Sequence, residues 1–419
     1  MNENFLKIKW QDVKSNLVNL SQLVFEVTDV CNLSCKYCGY GELYEGFDPR
    51  GRHNLSFKKA CNILDYLVKL WEENIGNSLR QPFSLGFYGG EPLMSMKLIK
   101  EIIQYVESLE IKSKKIHYNM TTNGLLLNKH MDYLFDKEFR LLISLDGNEK
   151  DHCYRVDHKG NNSHKQIIEN IRFLQKKYPD YFNRLVNFNT VLHNMNSVES
   201  AHNFIKNSFG KETKISPLNN SGIRKDKVNE YINMFQNVDR SIKKIVNHEK
   251  LEIELFLEAP RIRQLATFLR SFSGNMFNDY RSLFFDANKI KPLPTGTCIP
   301  FWKKMFITVN GKILQCERIN HEFALGQIFD DKIELNFDHI AEMANNYIFR
   351  FISQCNTCEY IRSCNQCVFQ IDDLDSSDTK CRSYTDHNSF QNKINANLDY
   401  LDKNPRIYKR IMNDVHFKR

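Results

Sequence analysis

The 419-residue sequence has no long apolar run. Nothing in it approaches the ~20 consecutive apolar residues of a membrane-spanning helix. The N-terminus, MNENFLKIKWQDVKSNLVNL, has no apolar core of signal-peptide length. A strong charge imbalance is also missing: 58 Lys and Arg against 50 Asp and Glu leave a net +8, a mild excess that could favour an acidic peptide or nucleic acid but is no basic patch by itself. There is no internal repeat and no low-complexity tract, and 26% charged with 12% aromatic residues is an ordinary folded composition. The expectation is a cytoplasmic protein of two or three domains, with neither membrane nor nucleic acid as partner. Disulfides are rare in that compartment. Twelve cysteines therefore need another explanation, and ten of them fall into two groups with ligand spacing.

The first group is Cys31-Asn32-Leu33-Ser34-Cys35-Lys36-Tyr37-Cys38, directly after the apolar run Leu23–Thr28. A short strand thus delivers three thiols onto one loop. Three thiolates can hold three irons of a [4Fe–4S] cluster, which normally takes four, and leave one iron open. A zinc knuckle or a redox pair is the competing reading of the triplet alone.

Downstream the chain alternates strand and helix. Strands are expected at Leu23–Thr28, Phe83–Tyr88, Ile116–Met120, Arg140–Leu145, Leu185–Leu192 and Thr213–Pro217. Helices are expected at Ser56–Asn74, with Ser56 as cap, and at Ser95–Glu110, Asn128–Lys137, Ser163–Tyr178 and Ser197–Phe209. Such alternation predicts parallel βαβ units. Six units fall short of a closed eight-fold barrel, so the predicted fold class is α/β, a partial (β/α)6 TIM-like barrel. Its functional groups belong at the C-terminal ends of the strands.

Those ends carry the remaining motifs. Gly89-Gly90-Glu91-Pro92 follows the second strand, where glycines permit close backbone approach and Glu91 can accept from an ammonium; a plain Gly-Gly turn is the alternative. Thr121-Thr122-Asn123-Gly124 ends the third strand and Ser144-Leu145-Asp146-Gly147 the fourth. Asp146 has the alternative role of capping a turn. Together with the cysteine triplet these stretches resemble the radical S-adenosylmethionine (radical SAM) family. The resemblance implies that Cys31, Cys35 and Cys38 hold the cluster and that SAM binds its open iron. It implies SAM contacts from Tyr37, Gly89, Gly90, Glu91, Thr122, Asn123, Ser144 and Asp146. Arg155, in Asp151-His152-Cys153-Tyr154-Arg155, is similar to the arginine of the family's H-D-x-x-R pattern, although the Asp-His order is inverted.

The second group is Cys298, Cys316, Cys355-x2-Cys358-x5-Cys364-x2-Cys367 and Cys381, with Gly311 four residues ahead of Cys316. It resembles the SPASM extension of radical SAM peptide-modifying enzymes, departing from it only in the last x2, where x3 is usual. The resemblance implies two auxiliary Fe–S clusters, of [4Fe–4S] type. One would use Cys298, Cys316 and Cys367, with its fourth ligand open. The other would use Cys355, Cys358, Cys364 and Cys381. A zinc ribbon shares the CxxC…CxxC spacing. Cys61 reads as a core residue, and Cys153 as incidental.

The expected domains are an N-terminal segment (1–21), the radical SAM partial barrel (22–224), a helical bridge (225–291), a small Cys-rich Fe–S SPASM domain (292–385) and a helical tail (386–419). The implied function is maturation of a ribosomally made precursor peptide by thioether or C–C crosslinking, with a flavodoxin or ferredoxin as electron donor. Two alternatives stand beside it: an anaerobic sulfatase maturase making formylglycine, and a non-catalytic Fe–S or zinc scaffold.

Overall fold

The computed structural model describes residues 5–74, 76, 82–272, 291–374, 376 and 379–415. Residues 1–4 of the N-terminal segment, 273–290 of the expected bridge and 416–419 of the tail lie outside the described residues. The chain divides into two compact units: Lys9–Asn237 with Ile299–Ala341, and Met1–Ile8 with Val238–Cys298 and Glu342–Arg419.

The larger unit holds six parallel strands: β1 (Gln22–Thr28), β2 (Phe83–Gly89), β3 (Ile116–Thr122), β4 (Arg140–Ser144), β5 (Val186–Leu192) and β6 (Thr213–Pro217). Between them run helices α2 (Phe57–Glu73), α3 (Met96–Ser108), α4 (Leu127–Asp136), α5 (His164–Lys177), the short α6 (Pro179–Leu185) and α7 (Val198–Phe209). This is the expected partial (β/α)6 barrel.

Several features were not anticipated, among them α6, which takes Leu185 from the expected fifth strand. The N-terminal segment forms helix α1 (Trp10–Val18), whose Leu17 carbonyl accepts from Trp71 Nε1 at 3.0 Å. Four short strands, β7 (Met305–Ile307), β8 (Lys312–Leu314), β9 (Gly326–Ile328) and β10 (Ile333–Glu334), extend the sheet beyond β1 to the order β10-β9-β8-β7-β1-β2-β3-β4-β5-β6.

Alternation sorts the strand residues. Leu23, Phe25, Val27, Leu85 and Phe87 are buried on one face, with the α2 residues Ile63, Leu64, Leu67 and Trp71 also in the core. Each fully buried side chain of this size contributes about 1.5–3 kcal/mol. Register places Glu26 beside Tyr88, Gly86 beside Asn119, Ser144 beside Asn189 and Val191 beside Ser216 on the other face. That face is largely polar, with Asn119 bonded to Ser84 and Ser216 to Asn189. Ser56 stands at the start of α2, but its hydroxyl donates to Asp330 Oδ1 at 2.8 Å instead of capping the helix.

The smaller unit is helical, with α9 (Val238–Lys243), α10 (His248–Leu255), α11 (Pro260–Phe272), α13 (Ile352–Asn356), α14 (His387–Lys403) and α15 (Pro405–Asp414). The larger unit's α8 (Val228–Met234) precedes them, and α12 (Phe337–Ile348) runs from one segment into the other. No helix of the described residues is long and apolar enough to cross a membrane.

Candidate active site

The cysteine loop leaves the end of β1 and is tied down at several points. Asp29 accepts from Gly51 N (2.8 Å) and His53 N (2.7 Å), fixing the loop's entry. Ser34 N and Lys36 N donate to the carbonyls of Val156 (2.7 Å) and Tyr154 (3.1 Å). His158 Nε2 lies 2.9 Å from the Cys31 carbonyl, and Asn123 Nδ2 donates to Asn32 Oδ1 at 2.7 Å. Burial pushes the Cys31 thiol up to about 11 and the Cys35 thiol up to about 12. Cys35 also feels the charges of Cys31 and Cys38, so the three sulfurs share one patch. All three are free of disulfides. Among the described residues no three His, Cys, Asp or Glu side chains converge as ligands of a single metal ion. Thiolates of a cubane cluster bind different irons and need no common point, so this donor set fits such a cluster.

Gly89 and Gly90 serve a close approach, but to the chain itself. A Cβ on Gly89, which has φ +143°, would lie 2.2 Å from the Thr28 carbonyl oxygen, and one on Gly90 would lie 2.2 Å from that of Val30. Gly90 N and Glu91 N each donate across this contact at 2.8 Å. The Glu91 side chain is buried and accepts three bonds, from Thr122 Oγ1 (2.6 Å), Asn123 N (2.7 Å) and Leu93 N (3.1 Å). Burial raises its carboxyl to about 7 despite these donors. Glu91 thus links the ends of β2 and β3, and a carboxylate retains capacity for a further donor.

Asp146, Arg155 and Tyr37 meet in one buried network. Arg155 grips Asp146 with two bonds, Nε to Oδ2 at 3.0 Å and Nη2 to Oδ1 at 3.1 Å. The Tyr37 hydroxyl donates to Asp146 Oδ2, and Val191 N donates to Oδ1 at 3.0 Å. His193, at the end of β5, stacks on Tyr37 with centroids 5.4 Å apart, and its Nε2 is 3.7 Å from Asp146. Burial alone would raise the Asp146 carboxyl, but Arg155 and the neighbouring histidines hold it well below the usual range. Burial pushes His152 down to about 3, so it is neutral. Its Nδ1 accepts from Asp146 N (3.3 Å), which leaves Nε2–H to donate to Ser163 Oγ at 3.1 Å. Ser144 closes the row of strand ends, beside Asn189.

Sequence reading missed a further group on the polar face near β1. Glu26 is buried and pairs with Arg50 at 2.5 Å, while Val309 N donates to it at 3.0 Å. Arg50 lies 3.8 Å over the ring of Tyr40, which neighbours Tyr88 and Phe47. Tyr88 senses the charges of both Glu317 and Cys38. Burial would raise the Glu317 carboxyl, yet Lys304 at 2.9 Å holds it below its ordinary value. A lone buried Glu on an otherwise apolar strand was the only signal for this group in the sequence.

Of the second cysteine group, Cys316 lies in the larger unit, where burial pushes its thiol up to about 12. In the smaller unit Cys355 feels Cys358, Cys364 and Cys381, so those four are neighbours. Cys298 is near Cys367, and the Thr297 hydroxyl accepts from Val368 N at 2.8 Å. Gly296 packs so tightly on the Cys364 carbonyl that a Cβ would come within 2.2 Å of its oxygen.

A six-stranded parallel half-barrel with a three-cysteine loop after its first strand and a Gly-Gly-Glu turn after its second is the arrangement that the resemblance to the radical SAM family implies. Residues 25–206 match the Radical SAM superfamily. The chain is 30% identical over 192 residues to a cysteine-type anaerobic sulfatase-maturating enzyme of Clostridium novyi (strain NT), covering 45% of this chain and 48% of that one. It is 27% identical over 172 residues to the radical SAM cyclopropyl synthase TigE of Paramaledivibacter caminithermalis, covering 40% and 34%. The chain thus spans about half or less of the length of these curated relatives. The solved structure of native anSMEcpe with bound AdoMet and Kp18Cys peptide superposes with a TM-score of 0.62 at 17% identity, over 94% of this chain and 99% of that one. Residues 25–206 of this chain thus form a radical SAM domain, and a cysteine-rich C-terminal region follows it.

Proposed function

We propose that the chain is a peptide maturase that cleaves SAM reductively and crosslinks a ribosomally made precursor peptide through a thioether or carbon–carbon bond. One observation carries this reading: the ends of β1 to β4 bring Cys31, Cys35, Cys38, Glu91, Thr122, Asn123 and Asp146 into one connected set of hydrogen bonds and sulfurs. Cys31, Cys35 and Cys38 hold a [4Fe–4S] cluster, and the strand ends hold SAM. When bound and reduced, this pair supplies methionine and a 5′-deoxyadenosyl radical. The chain's residues do the rest. Glu91 orients the β2 and β3 ends and offers its carboxylate to the ammonium. Glu317, half-buried and held ionised by Lys304, would accept the proton that a substrate thiol loses. In the smaller unit Cys355, Cys358, Cys364 and Cys381 hold an auxiliary cluster, and Cys298 and Cys367 contribute to another. A flavodoxin or ferredoxin supplies the electron.

Replacing Cys31, Cys35 and Cys38 together by Ala should abolish formation of 5′-deoxyadenosine while the C-terminal clusters still colour the protein. A triple variant that still makes 5′-deoxyadenosine sinks the assignment.

The similarity to a sulfatase-maturating enzyme supports a second reading, oxidation of a substrate Cys or Ser to formylglycine. Mass spectrometry of a cysteine peptide separates the two. A crosslink removes two hydrogens and keeps sulfur. Formylglycine formation from Cys removes two hydrogens and exchanges sulfur for oxygen.

A further inference from the structure

We propose that Tyr37, Asp146 and Arg155 form a latch that positions the cysteine loop and balances the charge beside Cys35, rather than a set of SAM ligands. The proposal rests on the cluster assignment above.

Both Asp146 oxygens are spent within the chain. Oδ1 takes Arg155 Nη2 and Val191 N, and Oδ2 takes Arg155 Nε and the Tyr37 hydroxyl. Arg155 is correspondingly committed: its paired nitrogens face Asp146, and its guanidinium lies 5.3 Å from the Tyr37 ring centroid. Asp146 is fully buried and Arg155 7% exposed, and Arg155 spends two of its five N–H donors on Asp146. A SAM carboxylate competing for Arg155 would leave Asp146 buried with less compensation, which is costly.

The segment carrying Arg155 grips the loop a second time through its backbone. The Tyr154 and Val156 carbonyls, on either side of Arg155, accept from Lys36 N and Ser34 N. Arg155 itself is pinned: Ser163 Oγ and Ser163 N both donate to its carbonyl, at 2.7 and 3.1 Å. Beside the Asn32–Asn123 and His158–Cys31 contacts, the loop between Cys31 and Cys38 is thus held by two backbone bonds on its flank and by Tyr37, reaching to the end of β4. The Tyr37 ring is further wedged against His193 and Tyr154, with centroids at 5.4 and 6.3 Å.

The ion pair also sets local charge. Arg155 and Asp146 both act electrostatically on Cys35 with opposite signs. Arg155 has the larger effect of the two, and Asp146 partly offsets it. Removing either one exposes the cluster to the other, and nearby charge is among the factors that set an Fe–S potential.

The test uses the full-length reconstituted protein and three variants, Tyr37→Phe, Asp146→Asn and Arg155→Gln. Iron release to a chelator, SAM binding and the midpoint potential of the N-terminal cluster, followed by electron paramagnetic resonance, are measured on each. Tyr37→Phe removes one hydroxyl and keeps the ring. It should release iron from this cluster roughly tenfold faster, the scale of losing a supporting contact around metal ligands, with SAM affinity close to the parent's. Asp146→Asn should move the potential up and Arg155→Gln should move it down, opposite signs that a merely structural role does not produce. If Asp146→Asn or Arg155→Gln fails to fold, Tyr37→Phe alone decides. The latch is refuted if Tyr37→Phe keeps its iron as the parent does. It is equally refuted if Arg155→Gln loses SAM binding with its potential unmoved, which makes Arg155 a SAM ligand. If the parent holds no cluster on Cys31, Cys35 and Cys38, judged against their triple Ala variant, the cluster assignment has failed rather than the latch.

Discussion

At the scale of single residues, the motif glycines and acids prove more occupied with their own chain than sequence reading anticipates. The Gly-Gly-Glu spacing is visible in the sequence, but the partners are not, because Thr28, Val30 and Asn123 approach only once β1, β2 and β3 are in register. Glu91 illustrates the consequence. Replacing it by Ala strips the acceptor from two buried backbone N–H groups and the Thr122 hydroxyl. Each orphaned buried donor costs about 1–3 kcal/mol, so Glu91→Ala should lower the melting temperature of the unliganded protein as well as weaken SAM binding about tenfold, a factor worth 1.4 kcal/mol. Thr122→Val removes only one of the three donors. It should retain most of the stability, with SAM affinity by calorimetry between that of the parent and Glu91→Ala. A Glu91→Ala protein as stable as the parent would show that these bonds contribute nothing. Gly89→Ala is the harsher change, since a Cβ would lie 2.2 Å from a backbone oxygen at φ +143°. Strain of this kind costs of order 1–3 kcal/mol, and here it pushes directly on the strand end that feeds Cys31.

At the scale of elements, the six strands were legible because each carries five to seven residues and the first five are followed by a clear helical face. The added strands β7 to β10 were not, because two or three residues each give no periodicity. Their attachment is read instead from polar contacts. Lys312 on β8 binds Asp48 at 2.7 Å, and Asn310 Nδ2 donates to the same side chain at 3.1 Å, clamping the loop after the cysteines to the β7–β8 turn. Burial would raise the Asp48 carboxyl, but Lys312, Asn310 and His321 outweigh it and hold it below its ordinary value. A lowered carboxylate stabilises the fold above its unfolded pKa of about 3.9 and stops doing so as pH falls through the folded value. Asp48→Asn should therefore have a lower urea midpoint than the parent at pH 7, and the gap should close below about pH 3.9. An equal gap at both pH values would assign the loss to packing rather than to charge.

At the scale of the whole molecule, cysteine spacing was the most informative signal, because ligand sets are local in sequence where hydrogen-bond networks are not. Cys355, Cys358 and Cys364 are neighbours by spacing, and folding adds Cys381 to them. What the spacing leaves open is whether that set serves iron or zinc, and the chemistry separates them. Zinc has no redox activity, whereas an Fe–S cluster absorbs visible light and bleaches on reduction. Replacing Cys355, Cys358, Cys364 and Cys381 together by Ala should remove one cluster's worth of iron and leave the N-terminal cluster's response to SAM intact. A maturase that passes electrons through the smaller unit should then still cleave SAM to 5′-deoxyadenosine but stop turning over peptide, uncoupling the two products. Zinc in the parent protein at these positions, with peptide untouched by both proteins, would favour a scaffold. Peptide turnover unchanged in the quadruple variant would show that the set supports the fold without entering the reaction.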